Sequence, residues 1–187
     1  TSIFSSTSSS LSPCFFSTIK KIPIPNKPGL CLAKYGDPGY GELVKRDKYS
    51  PKKRFCDELV GKSAKVLRPL VNEKEIKYIT CVPSLRCDIV LDFSNRLAES
   101  LGLTFVELLK KSNTRQQKEM QNSSYQCGNA MHSFSLLDGV EVPDKVLLVD
   151  DVVDSRWTLT ACGYYLSQGG CGEIYPFALA DSSQKED

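Results

Sequence analysis

The chain has 187 residues, 41% of them apolar and 25% charged, enough for one sizeable core and a single domain. Its formal charge of +2 is spread over interspersed signs, which excludes a molecule-wide field for nucleic acid or an anionic membrane. No apolar run reaches the roughly 18 to 20 residues of a membrane span, and eight cysteines without a C-x-x-C pair, with His132 as the one histidine, argue against zinc and for reduced thiols in a soluble, cytoplasmic protein.

Residues 1–28 read as a flexible linker. Positions 1–12 are almost all Ser, Thr and small apolar residues, and three prolines within 20–28 bar a helix or a central strand. No acidic residue precedes Asp37, a bias shared with organellar targeting segments, so linker and targeting segment both stand as readings. The folded domain is expected over 29–181, with a disordered tail at 182–187.

LCLAKY reads as a short strand, and GDPGYGELV as a turn opening a short helix with Asp37 as its cap. Over 54–70, Phe55, Leu59, Val60, Ala64, Leu67 and Leu70 recur at helical spacing. Gly61, Lys62 and Ser63 inside that run match the end of a phosphate-binding P-loop, but Cys56 stands where its first glycine belongs, so the run is read as helix. A strand is predicted over 77–82, ended by Pro83. A helix follows over 88–101 with Ile89, Phe93, Leu97 and Leu101 on one face. Next come a strand over 104–108, a polar loop or helix over 115–130, a buried strand over 146–149, a helix over 157–166 and a last strand over 174–178. Such alternation predicts an α/β fold, a mainly parallel sheet flanked by helices in three Rossmann-like layers.

The segment KVLLVDDVVDSRWT carries the chemistry. An apolar strand delivers Asp150 and Asp151 to its C-terminal edge, where open α/β sheets bind ligands. The loop Asp154, Ser155, Arg156, Trp157 and Thr158 then feeds its amides into a helix start, a ready anion site. Carboxylates accepting from a vicinal diol beside such a cup complement ribose 5-phosphate. Trp157, Tyr164 and Tyr165 sit at helical spacing and read as core, not as a stacking stripe for nucleic acid.

This pattern resembles the phosphoribosyl pyrophosphate motif of the type I phosphoribosyltransferase family, with Arg156 standing where the family has a glycine. A wider resemblance runs through AKYGDPGYGELV, RFCDELV, TCVPSLR, FSNRLAESLGL, QQKEMQNSSYQCGNAM and VLLVDDVVDSRWTLTACGYYL. These segments, in order, look like the ComF-like phosphoribosyltransferase domain at the C-terminus of some bacterial RecQ-type ATP-dependent DNA helicases. The resemblance implies that Asp150 and Asp151 are the catalytic pair orienting the ribose hydroxyls and that the 154–158 loop holds the 5-phosphate. Pro83, Ser84 and Arg86 would receive pyrophosphate accompanied by Mg2+, with no metal ligand on the protein itself. It also places Gln117, Met120, Gln126 and Asn129 on a catalytic loop, where Gln126 replaces a basic residue and Lys110, Lys111, Arg115 and Lys118 are the remaining cations.

The implied function is an accessory domain of a RecQ-type DNA helicase, acting in DNA repair, that binds phosphoribosyl pyrophosphate or a nucleotide without turnover. Two alternatives stand beside it: an active Mg2+-dependent phosphoribosyltransferase, and a module that contacts DNA or a protein partner through the parent helicase. No helicase motor motif is present, and no membrane or particular oligomeric state is implied.

Overall fold

The computed structural model describes residues 2–4, 25–85, 87–111, 133–154 and 156–183. Strands β1 (Ser2–Phe4), β2 (Gly29–Lys34), β3 (Tyr78–Cys81), β4 (Thr104–Phe105), β7 (Lys145–Val153) and β8 (Glu173–Asp181) form one sheet in the order β1-β2-β8-β7-β3-β4. All its pairs are parallel except β1 with β2. Helices α1 (Tyr40–Lys48), α2 (Asp57–Lys74) and α3 (Ile89–Leu101) cover one face. Helix α4 (Trp157–Gln168) covers the other, together with a hairpin of β5 (Leu109–Lys111) and β6 (Phe134–Leu136). The expected mainly parallel α/β architecture is present.

Strand alternation divides the core. Leu147 and Val149 of β7 pack toward α1 to α3, while Val146 and Leu148 pack toward α4. All four are fully buried, as expected of a strand covered on both faces. The interior strand is longer than the apolar run 146–149. Pairing with β8 continues to Val153↔Asp181, whereas pairing with β3 stops at Cys81↔Val149. Asp150 and Asp151 therefore lie within β7 but beyond the end of its β3 ladder, open on one edge.

Several local expectations shift. Ser2–Phe4, expected within a flexible stretch, pairs antiparallel with Gly29, Leu30 and Cys31, because the outer edge of β2 offers unpaired backbone groups. Folding also starts before Gly29: the Lys27 amide donates to Ile174 O, and Asn26 Nδ2 donates to Leu159 O beside Gly163, where a Cβ would overlap the Asn26 side chain. The remainder of 1–28 and residues 184–187 lie outside the described residues.

The cap of α1 is Gly39 at φ 90, not Asp37, whose carbonyl instead accepts the Glu42 amide. Gly41 is required for another reason: a Cβ there would overlap the carbonyl oxygen of Lys34, so α1 sits directly on the end of β2. Helix α2 starts at Asp57 after an extended Cys56, whose amide donates to the Asp47 carboxylate at 2.8 Å. Gly61, Lys62 and Ser63 lie in the middle of α2, with Lys62 Nζ 5.5 Å from the centre of the Tyr40 ring.

Candidate functional site

Strand order places the site. From β3 the chain passes through α3 to β4 on one side, and from β7 it passes through α4, on the opposite sheet face, to β8 on the other side. Adjacent strands whose crossovers leave in opposite directions open a crevice at their carboxyl ends. A cleft of about 300 Å³ occupies that point, and its lining includes Pro83, Ser84, Asp150, Asp151 and Thr158. Residues separated by more than sixty positions in the chain thus meet, as the strand-and-loop reading expects. A smaller cavity of about 120 Å³ adjoins it behind Pro83 and Ser84, lined by Cys81, Asp88 and Glu107.

The two acids are held differently. Asp150 is buried, and its Oδ1 accepts the Asp151 amide at 2.8 Å. Burial, reinforced by the neighbouring Asp151 carboxylate, pushes Asp150 up to about 8 despite that amide and the Lys48 ammonium. Asp151 falls on the α1 face of β7, where its Oδ1 accepts the Val152 amide at 2.7 Å and its Oδ2 meets Lys48 Nζ at 2.9 Å. The pair is therefore asymmetric: Asp150 is suited to share a proton with a sugar hydroxyl, and Asp151 stands as a paired carboxylate.

At the start of α4, Arg156 takes the left-handed conformation, φ 63 and ψ −7, the backbone shape that a glycine supplies without strain. A backbone bond at the start of the helix runs from Thr160 N to Arg156 O, and the amides before it have no acceptor within the helix. Thr158 lines the cleft, whereas Arg156, Trp157 and Asp154 are not among its lining residues. Trp157 packs against the α4 core, with its backbone at the helix start. Ser155 and Arg86 lie outside the described residues, as do Arg115, Gln117, Lys118, Met120, Gln126, Asn129 and His132.

Two cations in the lining complete the electrostatics, Lys48 and Lys111. Lys111 closes β5 with its Nζ 5.2 Å from the centre of the Phe134 ring, a cation–π contact that steadies it over the cleft. Its neighbour Lys110 points to the other side of the strand and pairs with Asp138 at 2.7 Å in solvent. Both lysines are candidates in the sequence, whereas Lys48 carries no signal there in spacing or motif.

Burial pushes the Cys31 and Cys81 thiols up to about 12, which disfavours nucleophilic chemistry by either, and neither lines the cleft, whose one lining thiol among the described residues is Cys87. The only carboxylates among the described lining residues are Asp150 and Asp151. Each already accepts a backbone amide, and Asp151 also holds Lys48. No group of three or more His, Cys, Asp or Glu able to cage a metal occurs among the described residues. This donor set fits Mg2+ that arrives with an anionic ligand and is held largely by that ligand's oxygens.

This α/β domain with its switch-point cleft is similar, over part of its sequence, to a competence protein and to a phosphoribosyltransferase. No protein-family model matches the chain. In sequence, 83 residues are 29% identical to the competence protein ComFC of Streptococcus pneumoniae, covering 44% of this chain and 37% of that protein. A further 34% identity over 88 residues relates it to an adenine phosphoribosyltransferase of Bordetella pertussis, covering 46% of each. The chain thus spans less than half the length of these curated relatives. Among solved structures, it is similar to an adenine phosphoribosyltransferase (TM-score 0.44, 19% identity, 68% of this chain and 81% of that one) and to a hypoxanthine phosphoribosyltransferase of Trypanosoma cruzi (TM-score 0.48, 17% identity, 66% and 63%). No helix among the described residues is long and apolar enough to cross a membrane.

Proposed function

We propose that this domain binds the phosphoribosyl part of phosphoribosyl pyrophosphate or of a nucleotide, and does so without turnover. The observation that carries this reading is the convergence of Asp150, Asp151 and Thr158 with Pro83 and Ser84 around one cleft. In it, Asp150 and Asp151 take the ribose hydroxyls, and the amides and hydroxyl at the start of α4 take the 5-phosphate. The loop after β3 receives the pyrophosphate with its Mg2+. Arg156 in place of glycine and Gln126 in place of a basic residue, two departures from the catalytic pattern of the family it resembles, support binding without turnover.

The accessory role beside a RecQ-type helicase, in a cytoplasmic setting and with DNA reached through the parent protein, belongs to the same proposal. It is supported by the ordered segment resemblance described above. A second reading, Mg2+-dependent transfer of the phosphoribosyl group to a base, is favoured by one observation. Lys111, held over the cleft, offers a positive charge to departing pyrophosphate.

Calorimetry with phosphoribosyl pyrophosphate and Mg2+ tests the binding. A saturable heat that weakens in Asp150→Asn with Asp151→Asn supports it, and no heat in the wild type overturns it. Release of pyrophosphate in the presence of a panel of bases decides between the two readings.

A further inference from the structure

The last turn of α1 carries Lys45, Arg46 and Lys48. Arg46 is committed to the buried Asp47 at 2.8 Å. Lys48 lies one turn after the fully buried Val44, on the face that packs toward the sheet. Its stem follows that face, and its Nζ enters the cleft 2.9 Å from Asp151 Oδ2. The end of α1 is pinned there by Asp47, whose other oxygen holds the Cys56 amide. Lys48 is thus a positioned cation, and both members of the pair are shielded, their side chains 30% and 13% exposed.

We propose that Lys48 is the built-in counter-charge of the ribose subsite: it orients Asp151 for the hydroxyls of a phosphoribosyl ligand and keeps a bare divalent cation off the diacid. This rests on the phosphoribosyl reading above. A carboxylate such as Asp151, left without a counter-charge in a cleft, attracts a divalent ion and repels a phosphate. Lys48 supplies that charge from the protein, so the sugar phosphate needs no metal of its own and Mg2+ is required only by pyrophosphate. Asp151 presents one oxygen to Val152 N and the other to Lys48, leaving the amphoteric hydroxyls of a sugar better suited than a cation to join the arrangement. Lys48 acts here as a positioning residue.

The test compares wild type, Lys48→Met and Lys48→Arg, each first shown to melt cooperatively. Ribose 5-phosphate is titrated calorimetrically in metal-free buffer, and Mn2+ binding to the ligand-free protein is followed by electron paramagnetic resonance. Wild type is expected to bind ribose 5-phosphate without metal and to bind Mn2+ weakly. Lys48→Met should lose roughly tenfold in sugar-phosphate affinity, the loss expected of one charge-assisted contact, and gain Mn2+ affinity. Lys48→Arg should keep the wild-type order. Unchanged Mn2+ and sugar-phosphate binding in Lys48→Met overturns the role of Lys48. If wild type binds no ribose 5-phosphate, the phosphoribosyl reading fails, and the Mn2+ arm alone then judges whether Lys48 guards the diacid.

Discussion

The Asp47 carboxylate on α1 accepts the backbone amide of Cys56 at 2.8 Å, tying the helix that carries Lys48 to the start of α2. Burial pushes Asp47 up, but the Arg46 guanidinium and the Cys56 amide outweigh it and leave the acid below its usual range. A depressed carboxylate contributes stability above its unfolded value that is lost as pH falls through the folded one. Asp47→Ala should therefore cost about 1 kcal/mol at neutral pH, by removing the acceptor of a half-buried donor, and much less in acid. Urea unfolding at both pH values checks this, with Asp47→Asn, which can still accept the amide, as the milder control.

Asp150 has the opposite sign. Folded, it keeps its proton up to about 8, whereas unfolded it loses it near pH 4. Between those values the folded state binds more protons, so this residue makes stability fall as pH rises across the window. Asp150→Asn should flatten that slope and raise the melting temperature at pH 8, with little change at pH 4. A melting profile across pH for wild type and variant reads this directly.

Arg156 is strained by its left-handed backbone and is not among the residues lining the cleft. Arg156→Gly should stabilise the fold by roughly 1 kcal/mol, since a non-glycine residue costs about that much in this conformation. It should also admit phosphoribosyl pyrophosphate at least as well as the wild type. Weaker binding in the glycine variant would mean that the guanidinium itself grips the anion. Thermal melts and calorimetry on the same preparations separate the two effects.

Lys110 and Lys111 form an internal control. Lys111→Ala removes a cation from the cleft and should weaken phosphoribosyl pyrophosphate binding roughly tenfold. Lys110→Ala breaks only the exposed pair with Asp138 and should stay within about twofold. Equal effects would show that both act through general surface charge, and repeating the titration at high salt exposes that case.

Simple phosphate and the ribosylated ligand distinguish the two halves of the site. On the proposed reading the backbone amides at the start of α4 take phosphate and the acids take the diol, so Asp150→Asn with Asp151→Asn should spare inorganic phosphate and reduce the preference for ribose 5-phosphate. Parallel loss of both ligands would place the phosphate elsewhere.

The sequence by itself determined what local pattern and short-range geometry determine. The unbroken apolar run 146–149 marked a strand buried on both faces, and helical spacing in Leu59, Val60, Ala64 and Leu67 marked α2. The order of strand, acids, loop and helix marked where Asp150, Asp151 and Thr158 would stand, because each of these signals is contained within one or two turns of chain. What only the tertiary structure decided depends on register and on distant partners. Lys48 meets Asp151 because α1 rests on β2 at Gly41 and β7 turns that acid toward α1. Lys111 faces the cleft and Lys110 faces away because the hairpin register, Lys110↔Ser135 and Lys111↔Phe134, fixes which side of the strand each occupies. Ser2–Phe4 became a strand because β2 presents an open edge. None of these is encoded in spacing along the chain: each follows from which surfaces the packed sheet brings within a few ångströms of one another.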